Sequence, residues 1–210
     1  MQPLKSKAGK EAKKKRSQLI IGLFIVFLMV FSVVGYAFLS GTKPEQQGQE
    51  TYNSYVFIDT PEGWKTQISI ESKSYTITTA FLPQELENIT IQGTPLLNAF
   101  KGKTVYIIAN NLSERQAAIS LYSNLNKIVF RMQLACSEEE SETEFCLENE
   151  LPIKSCDDAT LEITIVEIKE TENEPIVNYK NNCLIIEGKG TDLVRATEKS
   201  VFIIFGIMEK

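Results

Sequence analysis

Residues 183–208, CLIIEGKGTDLVRATEKSVFIIFGIM, read as a strand, a glycine turn and a helix in immediate succession. The run CLIIE is short, apolar and β-branched, as a covered strand should be, and Val194, Val201, Ile204, Phe205 and Met208 then recur at helical spacing over a helix expected from Thr191 to Met208. A second unit of this kind stands 78 residues earlier. Ile107 and Ile108 correspond to Ile185 and Ile186, Ser113 to Thr191, Glu114 to Asp192 and Ala118 to Ala196. In that unit KTVYIIA (103–109) is the strand. Ser113 opens a capping box with Gln116, and Ile119, Tyr122, Leu125, Val129 and Met132 mark a helix expected to end near Cys136. A hydroxyl cap followed by an acid suits many strand-to-helix junctions, so convergence explains the match as well as duplication does. Either origin predicts two β–α units packing their helices on one sheet, with Tyr122 and Phe205 in the core.

Outward from these units the chain reads as strands. Residues 55–59 lead to a Pro61-Glu62-Gly63 turn, Trp64, Ile68 and Ile70 share a face of the next strand, and Tyr75, Ile77, Thr79 and Phe81 alternate along a third. A meander is the simplest arrangement. Short helical turns are expected near 83–87 and 94–100, and Leu161, Ile163 and Ile165 mark a further strand after an acidic loop. The fold class expected is α/β: one N-terminal transmembrane helix, then a single mixed-sheet extracytoplasmic domain with two main helices.

The transmembrane segment is 19–39, LIIGLFIVFLMVFSVVGYAFL, which carries no charge. Its 21 residues span about 31 Å as a helix, close to the ~30 Å of bilayer hydrocarbon. A cleaved signal peptide usually has a shorter apolar run and an A-x-A-like site, for which only Gly35-Tyr36-Ala37 is a passable match. Residues 1–18 hold seven Lys and Arg against Glu11, a net of +6, and the remaining 15 Lys and Arg face 26 Asp and Glu, a net of −11. The positive-inside rule therefore predicts a cytoplasmic N-terminus and an outer C-terminal domain. The layout expected is a basic segment 1–18, the span 19–39, a polar linker 40–54 and a domain 55–210. The lipid bilayer is then one partner, and the acidic bulk of the chain argues against nucleic acid.

The chemistry-bearing motifs are few. The chain has no His, which removes Ser-His-Asp and Cys-His catalysis, His-ligated zinc and the usual neutral-pH base. Gly188-Lys189-Gly190 resembles the start of a phosphate-binding turn, but the third glycine is missing and Asp192 brings negative charge where an anion would sit. The acidic run 138–144 lacks the ordered ligand spacing of a calcium loop. No catalytic residue, cofactor or metal ligand is assigned.

Cys136, Cys146, Cys156 and Cys183 all follow the span, without a C-x-x-C, and are disulfide candidates in an oxidising compartment. Of the three possible pairings, Cys136 with Cys146 and Cys156 with Cys183 is favoured, since an acidic loop can fold back onto the first and two parallel strands can align the second. Cys146 with Cys156 and Cys136 with Cys183 is the rival. Sequons at Asn88 and Asn111 are compatible with an external address.

PQELEN (83–88) and the stretch 182–208, behind an N-terminal anchor, resemble uncharacterised single-pass membrane-anchored proteins encoded in archaeal genomes. The resemblance covers the chain from Trp64 onward. It implies the same topology and transfers no functional residue. The reading that follows is a membrane-tethered extracytoplasmic protein with a protein partner at the cell surface, acting as a non-enzymatic interaction or surface-assembly domain. A small-ligand or solute-binding module and a His-free enzyme are the alternatives.

Overall fold

The computed structural model describes residues 28–29 and 48–209, so the expected span at 19–39 lies outside the described residues apart from Leu28 and Met29. Among the described residues no helix is long and apolar enough to cross a membrane. The chain divides after Gln46, and the fold is that of the unit Gln47–Lys210.

Alternation of apolar and polar residues builds an antiparallel sheet of β1 (Gln49–Tyr52), β2 (Tyr55–Thr60), β3 (Gly63–Ile70) and β4 (Lys73–Thr79), in that order. Phe57, Thr66, Ile68, Ile77 and Thr79 turn inward and are buried. Strand β1 falls within the stretch expected to be linker. Its residues are polar and mostly exposed, so no pattern marks them, and pairing with β2 makes them a strand. Asn53 and Ser54 both take positive φ (46° and 69°), the two-residue hairpin geometry whose twist matches the strands.

The second sheet is mixed. It comprises β5 (Thr90–Gln92), β6 (Thr104–Ile108), β7 (Arg131–Ala135), β8 (Ile163–Glu170), β9 (Ile176–Lys180) and β10 (Cys183–Gly188), ordered β5-β9-β10-β8-β6-β7. Strands β10, β8, β6 and β7 run parallel, while β9 is antiparallel to β10. The two sequence units thus lie in one sheet with β8 between their strands. Leu161 is exposed and precedes β8, whose alternation starts at Ile163 instead.

Three helices complete the unit: α1 (Leu112–Leu125), the short α2 (Glu144–Glu148) and α3 (Thr191–Ile204). Helix α1 departs from expectation at both ends. Its N-cap is Asn111, not Ser113, because Asn111 Oδ1 accepts the Glu114 N–H at 2.9 Å while Glu114 reaches back to the Asn111 N–H. It stops at Leu125, well short of Cys136, and the Val129–Met132 region feeds β7 instead of extending the helix. The buried stripe is Glu114, Ala117, Ala118, Leu121, Asn124 and Leu125, which leaves Ile119 and Tyr122 on the opposite, exposed side. Small alanines let the helix approach its neighbours closely, and hydrophobicity alone points to the wrong face.

Helix α3 ends at Ile204 rather than Met208. Gly206 (φ 69°) adopts the left-handed conformation, its N–H bonds Ile203 O at 3.0 Å and the Ile207 N–H bonds Phe202 O at 2.8 Å, which together close the helix with a Schellman motif. From Ala196 to Ile204 every residue of α3 is buried. The reason is its position: one apolar core runs from Phe57, Ile68 and Ile77 of the meander through Leu121, Phe202 and Ile203 of the helices to Val105, Val166, Leu184 and Ile186 of the mixed sheet. Phe57 and Phe202 meet edge to face at 5.8 Å. A smaller cluster of Ile108, Ala135, Ile165 and Cys183 covers the other face of the mixed sheet.

Candidate interaction surface

In open α/β sheets ligands favour the crevice beyond the carboxyl ends of the strands, where the direction of connection reverses. Here that place lies between β6, which leads to β7 on one side, and β8, on the other. Its residues include Asn110, Glu114, Glu167, Lys169 and Glu170 around a cavity of about 480 Å³. Glu114 fills the helix end itself. Its carboxylate accepts the Asn110 N–H at 2.7 Å, the Asn111 N–H at 3.2 Å and, from β8, the Glu170 N–H at 3.0 Å. The chain's own carboxylate thus occupies the donors just ahead of α1, and Asn111 Oδ1 takes the Glu114 N–H, which puts negative charge where a phosphate would sit.

The glycine turn tells the same story. A Cβ on Gly188 would come within 3.0 Å of Leu193 N, so this glycine lets α3 pack against its own strand. Gly190 N faces Glu170 at 3.4 Å, and Asp192 pairs with Arg195 at 2.8 Å. Carboxylates thus surround the start of α3. In the acidic run, Glu144 opens α2 and the preceding residues form turns. Among the described residues no group of three or more Asp, Glu or Cys is placed to hold a metal.

Two buried charges escape sequence reading, since both lie within an otherwise apolar stretch of α3. Glu198 accepts hydrogen bonds from Ala80 N–H (2.9 Å), Phe81 N–H (2.9 Å) and Ser120 Oγ (3.1 Å). Burial raises its pKa, against the opposing effect of those donors. Lys199 Nζ donates to the carbonyls of Glu87 (3.2 Å) and Ile89 (2.7 Å), and burial lowers its pKa. Asn124 of α1 bonds both Thr78 N–H and Thr78 O at 2.9 Å. These side chains satisfy the open edge of β4 and the loop after it, which would otherwise be bare strand edge. Their work is structural.

The four cysteines form Cys136–Cys146 and Cys156–Cys183, the favoured pairing, and both bridges tie down the connection between β7 and β8. Two disulfides fit an oxidising, extracytoplasmic address. Of the two sequons, Asn111 spends its side chain on the helix cap, and exposed Asn88 accepts from Arg195 at 3.3 Å.

What remains unaccounted for is apolar and exposed. Leu112, Ile119 and Tyr122 fall within about 80° of arc on α1 at 100° per residue, opposite its buried stripe. Ile119 is 66% exposed, Tyr122 49%, and Phe130, at the entry to edge strand β7, 79%. The Arg115 guanidinium lies 3.9 Å over the Phe145 ring, so α2 packs beside the first turn of α1 and leaves Ile119, Tyr122 and Phe130 open. Sequence reading found Ile119 and Tyr122 and assigned them to the core. Compared with protein-family models, curated proteins and solved structures, the chain matches none.

Proposed function

We propose that this chain is a membrane-tethered protein whose C-terminal domain stands outside the cytoplasm and binds a protein partner through the outer face of α1 and Phe130. The observation that carries the reading is the exposed Leu112, Ile119 and Tyr122 stripe, together with exposed Phe130 at the entry to β7. Scattered single apolar residues are normal on a surface, whereas a row on one helix face is the pattern of a docking face. The occupied crevice at Glu114 supports binding over catalysis. The uncharged segment 19–39, the +6 to −11 charge step across it and the two disulfides support the tether and the external address. A like-anchored set of archaeal proteins is the kinship we infer.

Photo-crosslinking tests the surface. A benzophenone side chain at Ile119 or Phe130, in cells making the full chain, is expected to yield a discrete adduct with one protein, while the same probe at exposed Lys180 yields none. Equal adducts at all three positions, or none at Ile119 and Phe130, would reject the α1 face.

A further inference from the structure

The meander is not continuously paired. Strand β2 meets β3 through three residue pairs only, Ile58↔Lys65, Asp59↔Trp64 and Thr60↔Gly63, although β3 continues to Ile70 and stays paired with β4 along its whole length. Before Ile58, β2 turns to β1. Backbone polar groups of successive residues in an antiparallel strand point to opposite edges. Asp59 N–H bonds Gly48 O on the β1 side, so Ile58 and Val56 direct theirs towards β3, and on β3 Lys65, Gln67 and Ser69 direct theirs back. Beyond the Thr60–Gly63 pair at the turn, only the Ile58 and Lys65 groups meet. Among the described residues, Val56 and Gln67 thus present unpaired strand backbone at an opening of about 680 Å³, and Ser69 does so further along β3.

The lining adds two features. Thr66 is only 3% exposed, and its hydroxyl has no hydrogen-bond partner among the described residues. Val56 and Ile58 stand exposed at the mouth, and Lys65 is the one charged residue of the lining. A cavity of this size falls in the ~300 to 1,000 Å³ range of small-molecule sites, so volume does not choose the occupant. The backbone does: a row of strand donors and acceptors is complemented by another strand, with alternate side chains packing on the apolar flank.

We propose that the opening between β2 and β3 binds an extended segment of another polypeptide by strand addition along β3. The segment alternates apolar side chains over Val56 and Ile58 with polar ones. One of its polar groups bonds the Thr66 hydroxyl, while Lys65 stays paired with Glu62. The site is separate from the α1 face and stands or falls without it.

The full chain in detergent micelles is panned against displayed random octapeptides, and the most enriched peptide is synthesised as the probe, with and without N-methylated backbone amides. The expected winner alternates apolar and polar residues. N-methylation, Val56→Asp or Thr66→Val each weakens it at least about tenfold, the scale of one lost hydrogen bond or apolar contact. Binding slows amide exchange at Gln67 and Ser69. Failure to enrich any peptide overturns the proposal, as does a winner indifferent to N-methylation. A winner abolished by Phe130→Asp but not by Val56→Asp overturns it in favour of the α1 face. Protection of these amides in a peptide-free dimer overturns it in favour of a second copy of the chain. Should Val56→Asp lower the melting temperature, the N-methylated peptide decides the matter on unaltered protein.

Discussion

Glu198 is the residue on which three layers meet, since it joins the end of the meander at Ala80 and Phe81 to Ser120 of α1 from its own place on α3. Its buried carboxyl titrates above its ordinary 4.5. The stability it contributes is therefore fully present below pH ~4.5 and declines as pH rises through the folded value. Glu198→Gln, which turns an amide N–H₂ towards backbone donors, is expected to cost roughly 1 to 3 kcal/mol. Because the variant lacks the titration, urea unfolding should show the gap to wild type narrowing from about pH 4 to about pH 7; a gap that widens would contradict the burial argument. Phe202 and Tyr122 make a second test. Phe202→Ala should cost ~3 to 5 kcal/mol, as a fully buried ring does, and Tyr122→Ala under about 0.5 kcal/mol. Helical spacing placed Phe205 and Tyr122 in the core, and of the two only Phe205 is buried. It counted Tyr122 into a stripe with Leu125, when the inward face of α1 is built on alanines and on Asn124, whose value lies in a hydrogen bond to Thr78 that no hydropathy pattern reveals.

At the scale of elements, strands with a covered apolar run were legible from sequence: β6, β10 and the alternating β2, β3 and β4 stand where their patterns put them. Strands β1 and β5, each of four residues or fewer and mostly exposed, and the five-residue β9 were not, because pairing rather than pattern creates them. Strand β7 was taken for the tail of α1, since Val129 and Met132 continue a helical spacing by chance. The open α1 face was hidden for the same reason, its residues having been spent on the core. The disulfides belong to this scale too. Cys136–Cys146 closes a sequence separation of 10 and Cys156–Cys183 one of 27, so chain entropy ranks the second higher, at roughly 3 to 4 kcal/mol against about 2.5 to 3. Denaturant titration of the two Cys→Ala pairs should show that order. A larger loss for the Cys136 and Cys146 pair would mean that native contacts of α2, not loop closure, set the energetics.

For the whole molecule, the charge step across 19–39 governs the outcome of shaving. Protease added to intact cells should remove the domain and leave a short membrane-bound stub. A released, soluble domain starting near residue 38 would instead identify a cleaved signal. The arrangement of layers has a bearing on how the chain is made. Helix α3 supplies the middle of the core yet is the last of the described elements to leave the ribosome. The core therefore stays incomplete until synthesis has delivered it, and the native state is reached only after synthesis has passed Ile204. A premature stop after Gly190 would strip Phe202, Ile203 and the Glu198 tie from the core and leave only α1 to cover the two sheets, so even a late nonsense mutation would be a null allele.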